Sequence, residues 1–165
     1  MAARYRRAMP SGSSGGARTP TINNRRARYN YEILDVYECG VMLAGSEVKS
    51  LREGRASLQD AYARVDGGEV WLHGMHIAPY AFARAELEPV RPRKLLLHRR
   101  EIDELARETG ERGVTLIPLR VYFKDHRVKV ELGVARGKRA YDKRQTIAER
   151  DARRQVERAL KGQRD

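Results

Sequence analysis

Cysteine is almost missing from this sequence. Cys39 stands alone among 165 residues, so no internal disulfide can form, and a reducing compartment fits. No Cys/His/Asn grouping surrounds it, so Cys39 reads as a small buried residue rather than a nucleophile. Long apolar runs are missing too; the stretches present are too short to span a membrane, and the N-terminus lacks the apolar segment of a secretory signal. There is no paired-cysteine motif, no glycine-rich phosphate loop before a helix and no nucleophile elbow. His73 and His76, three apart on a strand, would face opposite ways, a poor arrangement for one metal. Glu101, Asp103 and Glu104 read as a solvated helix face. These gaps argue against an enzyme, and no cofactor or metal is expected.

What is abundant is positive charge. Lys and Arg number 34 against 22 acids, a net charge of +12, and Arg outnumbers Lys 27 to 7. Such a surplus favours polyanionic partners, and arginine suits bidentate contact with phosphate. The charge is segregated. Residues 1–31 contain no acid and carry +7, residues 136–165 carry +6, and residues 32–135 carry −1. Solubility alone does not call for a near-neutral core between two basic arms.

The arms differ in kind. Residues 1–21 read as a disordered basic leader, although an organellar transit peptide shares that composition. In the second arm, Thr146 and Glu149 form a capping-box pattern opening a helix over Ile147–Lys161, with Gly162 as its stop. The apolar stripe of Ala152, Val156 and Leu160 is thin. The tail, 136–165, is therefore expected to be disordered when free and helical in a polyanionic groove.

Between them, 22–135 reads as the folded core. Strand signals lie at Tyr31–Tyr37, Val41–Leu43, Ala56–Val65, Val70–His73 (continuing through Met75 and Ile77), Val114–Phe123 and Val128–Val134. Gly67-Gly68 and residues 124–127 read as turns. Ser46–Arg52, capped by Ser46 and ended by Gly54, and Leu95–Glu108 read as helices, with residues 83–93 as a charged loop. The fold class is mainly β with helices: a small OB-like antiparallel β-barrel with flanking α-helices and a flexible basic C-terminal tail. An open α+β sandwich is the alternative.

Several groups suit RNA. Tyr29, Tyr31 and Tyr37 stand near Arg25, Arg26 and Arg28, pairing stacking faces worth ~1–3 kcal/mol per base with phosphate-neutralising charge. Arg91, Arg93 and Lys94 precede the apolar Leu95-Leu96-Leu97, which could press on an unstacked RNA loop.

Five ordered segments carry a resemblance. Asn24-Arg25-Arg26-Ala27-Arg28, Glu38-Cys39-Gly40, the run from Gly45 to Gly54, Arg93-Lys94-Leu95-Leu96-Leu97-His98, and the run from Gly137 to Arg144 resemble the SsrA-binding protein family, SmpB, over about residues 22–161. The resemblance implies an OB-like barrel that binds the tRNA-like domain of transfer-messenger RNA around its D-loop. It implies delivery of that RNA to stalled ribosomes in trans-translation, by a cytoplasmic monomer with no catalytic step of its own. Glu38, Leu96 and His98 match positions of the family's RNA-binding face; Asn24, Arg25, Arg26, Arg28, Tyr29, Arg52, Arg93 and Lys94 complete the expected RNA-binding set. Asp142, Lys143 and Arg144 match a tail motif for the decoding region, with Lys138, Arg139 and Tyr141 beside it. Ile147, Ala159 and Leu160 match apolar positions of a tail helix in the messenger channel. Tyr141 replaces a histidine of other members, which favours stacking over proton transfer, and Ala152 replaces a tryptophan, so the tail lacks that aromatic anchor. A general single-strand RNA-binding or ribosome-associated barrel protein is the alternative reading, and an RNA-modifying enzyme a more distant one.

Overall fold

Turn chemistry sets the hairpins. Gly67 and Gly68, both at positive φ (58° and 76°), fold β4 (Tyr62–Asp66) onto β5 (Glu69–His73). Asp125 and His126, also at positive φ, join β8 (Val114–Lys124) to β9 (Arg127–Gly137). Asp and His are among the few side chains that tolerate this conformation. Both turns lie where the sequence places them.

The computed structural model describes residues 19–162, so positions 1–18 of the expected leader lie outside the described residues. β9 pairs with β2 (Tyr31–Val41), which bulges between Ile33 and Asp35. β7 (Arg93–Leu96) sits between β5 and β2, and β1 (Ile22–Asn23) lies on β8. The antiparallel order is β1-β8-β4-β5-β7-β2-β9, and the further β8–β9 pairing closes six of these strands into a ring. β3 (Ala56–Ser57) and β6 (His76–Ile77) form a separate pair. Helices α1 (Ala27–Asn30), α2 (Gly45–Arg52), α3 (Arg99–Thr109) and α4 (Ala140–Gly162) complete the described chain. The mainly β, antiparallel expectation is met by this ring.

The interior is filled by alternate residues of each strand. Val130, Leu132 and Val134 of β9 are buried with Cys39, Leu72, Leu95, Leu116 and Val121. Cys39 is a buried free thiol, as its isolation suggested. A smaller cluster of Ala27, Ile117, Leu119 and Ala135, flanked by Tyr31, Ile33 and Val36, buries part of the opposite face.

Several boundaries differ from expectation: Ala56–Val65 divides into β3 and β4, and the signals at Tyr31–Tyr37 and Val41–Leu43 merge into β2, which ends at Val41. Gly74, at φ +73°, diverts the chain after β5, so His76–Ile77 pairs with β3 instead of extending β5; a Cβ at Gly74 would lie 2.5 Å from the Asp60 carbonyl oxygen. Leu95 and Leu96 belong to strand β7, not to a helix, and α3 starts at Arg99. A short apolar run reads equally as either element. α2 starts at Gly45, where the Glu47 carboxylate accepts from the Ala44 N–H (3.1 Å), so Ser46 is not its cap. α4 starts at Ala140, six residues before the Thr146 signal. No breaker interrupts 140–146, and the Thr146 hydroxyl accepts from the Lys138 ammonium (2.8 Å) from within the helix.

Candidate nucleic-acid interface

Register creates the first candidate surface. On β2 the buried Tyr37 and Cys39 alternate with Glu38 and Gly40, which face outward. Glu38 lies opposite Glu131; Gly40 lies opposite Lys129 on one side and Leu96 on the other. A Cβ at Gly40 would sit 3.2 Å from that of Leu96, so glycine lets Leu96 lie across the strand, 48% exposed. Glu38 and Leu96, far apart in sequence, thus share one outer face. His98 is exposed at the N-cap of α3, its backbone N–H donating to Glu101 (3.1 Å).

Glu38 and Glu131 are like charges directly opposed, and each is matched with a cation. Glu38 accepts from the Tyr122 hydroxyl and from the Lys124 ammonium (3.2 Å). Glu131 accepts from Arg120, whose guanidinium lies 4.7 Å from the Tyr122 ring centroid. Burial alone would raise the Glu38 carboxyl, but the bonds from Tyr122 and Lys124, with the Lys124 and Lys129 charges, hold it below the usual range. Burial, then the bond to Glu38, pushes the Tyr122 phenol up. Glu38 thereby orients Tyr122 and Lys124 on this outer face. Tyr122, Lys124, Lys129 and Arg120 were missed as site residues, and their only sequence signal was strand alternation.

Arg93 is a correction. It is 1% exposed, with Nε donating to Glu47 (2.7 Å) and its other nitrogens to the carbonyls of Met75 (2.7 Å) and Pro89 (3.0 Å). A buried guanidinium with every nitrogen engaged has nothing to offer RNA. Arg91 also pairs with Glu47, and Lys94 with Glu69 (2.9 Å). Tyr37 is likewise a core residue whose hydroxyl donates to Glu104 (3.2 Å), so it offers no face for stacking. Arg52 is exposed at the end of α2, 5.9 Å from the Phe123 ring centroid.

The two arms meet. Tyr31 opens β2 opposite Gly137, the last residue of β9, so the chain before one and after the other leaves the same end of the ring. The Lys138 N–H donates to the Asn30 carbonyl (2.9 Å); its ammonium donates to the Arg28 carbonyl and to Thr146 (both 2.8 Å). The Lys143 ammonium lies 5.9 Å from the half-buried Tyr29 ring. Ala27 is buried, and Asn24 is pinned to β8 by its N–H on the Leu119 carbonyl (2.8 Å) and its Nδ2 on that of Pro118 (3.0 Å). This leaves Arg25, Arg26 and Arg28 exposed on one arm, and Arg139 and Arg144 exposed on the other. The side chains of Tyr141 and Asp142 lie outside the described residues. Farther along α4, Ile147, Val156, Ala159 and Leu160 are exposed.

Comparison with known proteins agrees along the chain. The family model "SmpB protein" matches residues 21–162. The SsrA-binding protein of Desulforudis audaxviator is 56% identical over 140 residues, 84% of this chain and 92% of that protein. That of Mycobacterium ulcerans is 55% identical over 161 residues, 97% and 95% of the two chains. A chain of a solved structure described as "tmRNA-SmpB: a journey to the center of the bacterial ribosome" matches with a TM-score of 0.63 at 47% identity, covering 73% of this chain and 86% of that one. The chain belongs to the SmpB family.

Proposed function

We propose that this protein binds the tRNA-like domain of transfer-messenger RNA and delivers it to stalled ribosomes for trans-translation, in the cytoplasm and without catalysing a covalent step. The observation that carries the reading is the family match over residues 21–162 with SsrA-binding relatives above 50% identity. The ring's outer face, with Glu38, Leu96, His98, Lys94 and Arg52, and the exposed arginines of the arm contact the RNA. The tail from Lys138, through Tyr141, Asp142, Lys143 and Arg144 to Ile147, Ala159 and Leu160, serves the ribosome. It gains its working conformation in the messenger channel.

Truncation tests this division. Because β9 ends at Gly137 and Lys138 ties the arm, the cut belongs after Arg139. The truncated protein should keep its affinity for transfer-messenger RNA within a few-fold and lose rescue of stalled ribosomes. Loss of RNA binding with the tail would overturn the two-module reading. Co-purification from cells with an RNA population lacking a dominant transfer-messenger species would overturn the function itself.

A further inference from the structure

The outer face continues beyond Leu96 into a depression of about 540 Å³, of whose lining the proposed contacts use Lys94 alone. Strand register builds it. Lys94 precedes Leu96 by two residues on β7 and lies opposite Trp71 of β5. The Met42 N–H donates to the Lys94 carbonyl (2.9 Å), which carries the β2 row from Glu38 and Gly40 on to Met42. Met42, Leu43 and Trp71 supply apolar and aromatic surface, and Arg91, Lys94 and Glu69 supply charge. Trp71 is half-buried, Met42 is 55% exposed, and Trp71 is the single tryptophan of the chain.

We infer that this depression receives one unpaired nucleotide of transfer-messenger RNA, its base against Trp71 and Met42 and its phosphate beside Arg91 and Lys94. The inference rests on the function proposed above. Three features choose this occupant. The volume lies in the range of sites for small organic groups. An indole presents a face on which any base can stack, and single-strand recognition pairs such faces with cations for the backbone. The depression is also continuous with the surface that carries Glu38 and Leu96. Glu47 fixes Arg91 from beneath, and Glu69 holds Lys94 at 2.9 Å, so both cations are placed before RNA arrives. Glu69 also offers a carboxylate that can accept from an exocyclic amino group.

Titration of the full-length protein with the tRNA-like domain of transfer-messenger RNA tests this, because all tryptophan emission comes from position 71. Binding should quench that emission. Met42→Glu should weaken binding ~5- to ~150-fold, the range of one stacked base, with an unchanged thermal transition because Met42 is largely exposed. Trp71→Phe should retain most affinity, whereas Trp71→Leu should lose it while still folding. Binding with unchanged emission, or quenching that Met42→Glu leaves at wild-type affinity, would overturn the pocket and leave the proposed function standing. No binding of this RNA by the wild-type protein would sink the function as well.

Discussion

Two carboxylates in this chain look alike in sequence and have opposite jobs. Glu47 lies on α2 with a side chain 5% exposed, gripped by Arg91 and Arg93; Glu38 lies on β2 with a side chain 23% exposed, gripped by Tyr122 and Lys124. Below the surface, the Glu47 group ties α2 to the start of β7 and, through Arg93, to the carbonyls of Met75 and Pro89 that bracket the long loop. At the surface, the Glu38 group presents an aromatic ring and a cation in fixed positions. Burial, not residue type, separates the two settings.

The largest expected effect breaks the foundation. Glu47→Ala strands a buried guanidinium without its counter-charge, a change that costs ~3–5 kcal/mol. Urea unfolding at neutral pH should show that loss. RNA affinity of whatever fraction remains folded should fall only by the few-fold that freeing Arg91 costs. A variant of normal stability and impaired binding would reverse the roles assigned to the two carboxylates.

Glu38→Ala should do the converse. Releasing Tyr122 and Lys124 should cost RNA affinity about tenfold or more, ~1.4 kcal/mol. Stability should fall by only ~1–2 kcal/mol, since the hydrogen bonds lost are partly exposed. Filter binding and thermal melts on one preparation separate the two. Wild-type affinity in the fraction that stays folded would make Glu38 a structural residue.

Acid sharpens the pair. Both carboxyls are held below their ordinary value: at Glu47 burial opposes the shift, and bonds from Arg91, Ala44 and Arg93 outweigh it. Such groups stabilise the fold above the unfolded value of ~4.3 and lose that contribution as pH falls through the folded value. Glu47→Gln and Glu38→Gln should therefore each flatten the acid side of the stability profile, which urea midpoints across pH 3–7 measure.

Much of this was legible in the sequence, for local reasons. The Gly67-Gly68 turn, the hairpin at 124–127, the buried alternation of Val130, Leu132 and Val134, and the family motifs are patterns of neighbouring residues. What was not legible depended on register or depth. Arg93 was grouped with Arg91 and Lys94 as one basic loop, because a charge count carries no burial. The Leu95-Leu96-Leu97 run fits strand or helix alike, and only pairing with β2 on one side and β5 on the other makes β7 a strand. The meeting of the arms through Lys138 follows from Tyr31 lying opposite Gly137, which no composition reveals.

A third carboxylate gives the smallest and most discriminating test. Glu108 sits one turn after Glu104 on α3; burial, then Asp35 and Glu104, raises its carboxyl, and the Tyr37 hydroxyl lies 3.5 Å from it. Among the described residues no cation forms an ion pair with it. A raised value means that ionised Glu108 costs the folded state at neutral pH. The cost is relieved as pH falls through the folded value and is gone below the unfolded one. Glu108→Gln should therefore stabilise the protein by ~0.2–0.5 kcal/mol at pH 7, the size of one like-charge pair a turn apart, and by nothing near pH 3. Urea midpoints at both pH values measure this. Destabilisation at pH 7 would show that the bond to Tyr37 outweighs repulsion, placing Glu108 with Glu47 as part of the foundation; a gain that vanishes in acid would show that a carboxylate needs its cation, at either depth, to help this fold.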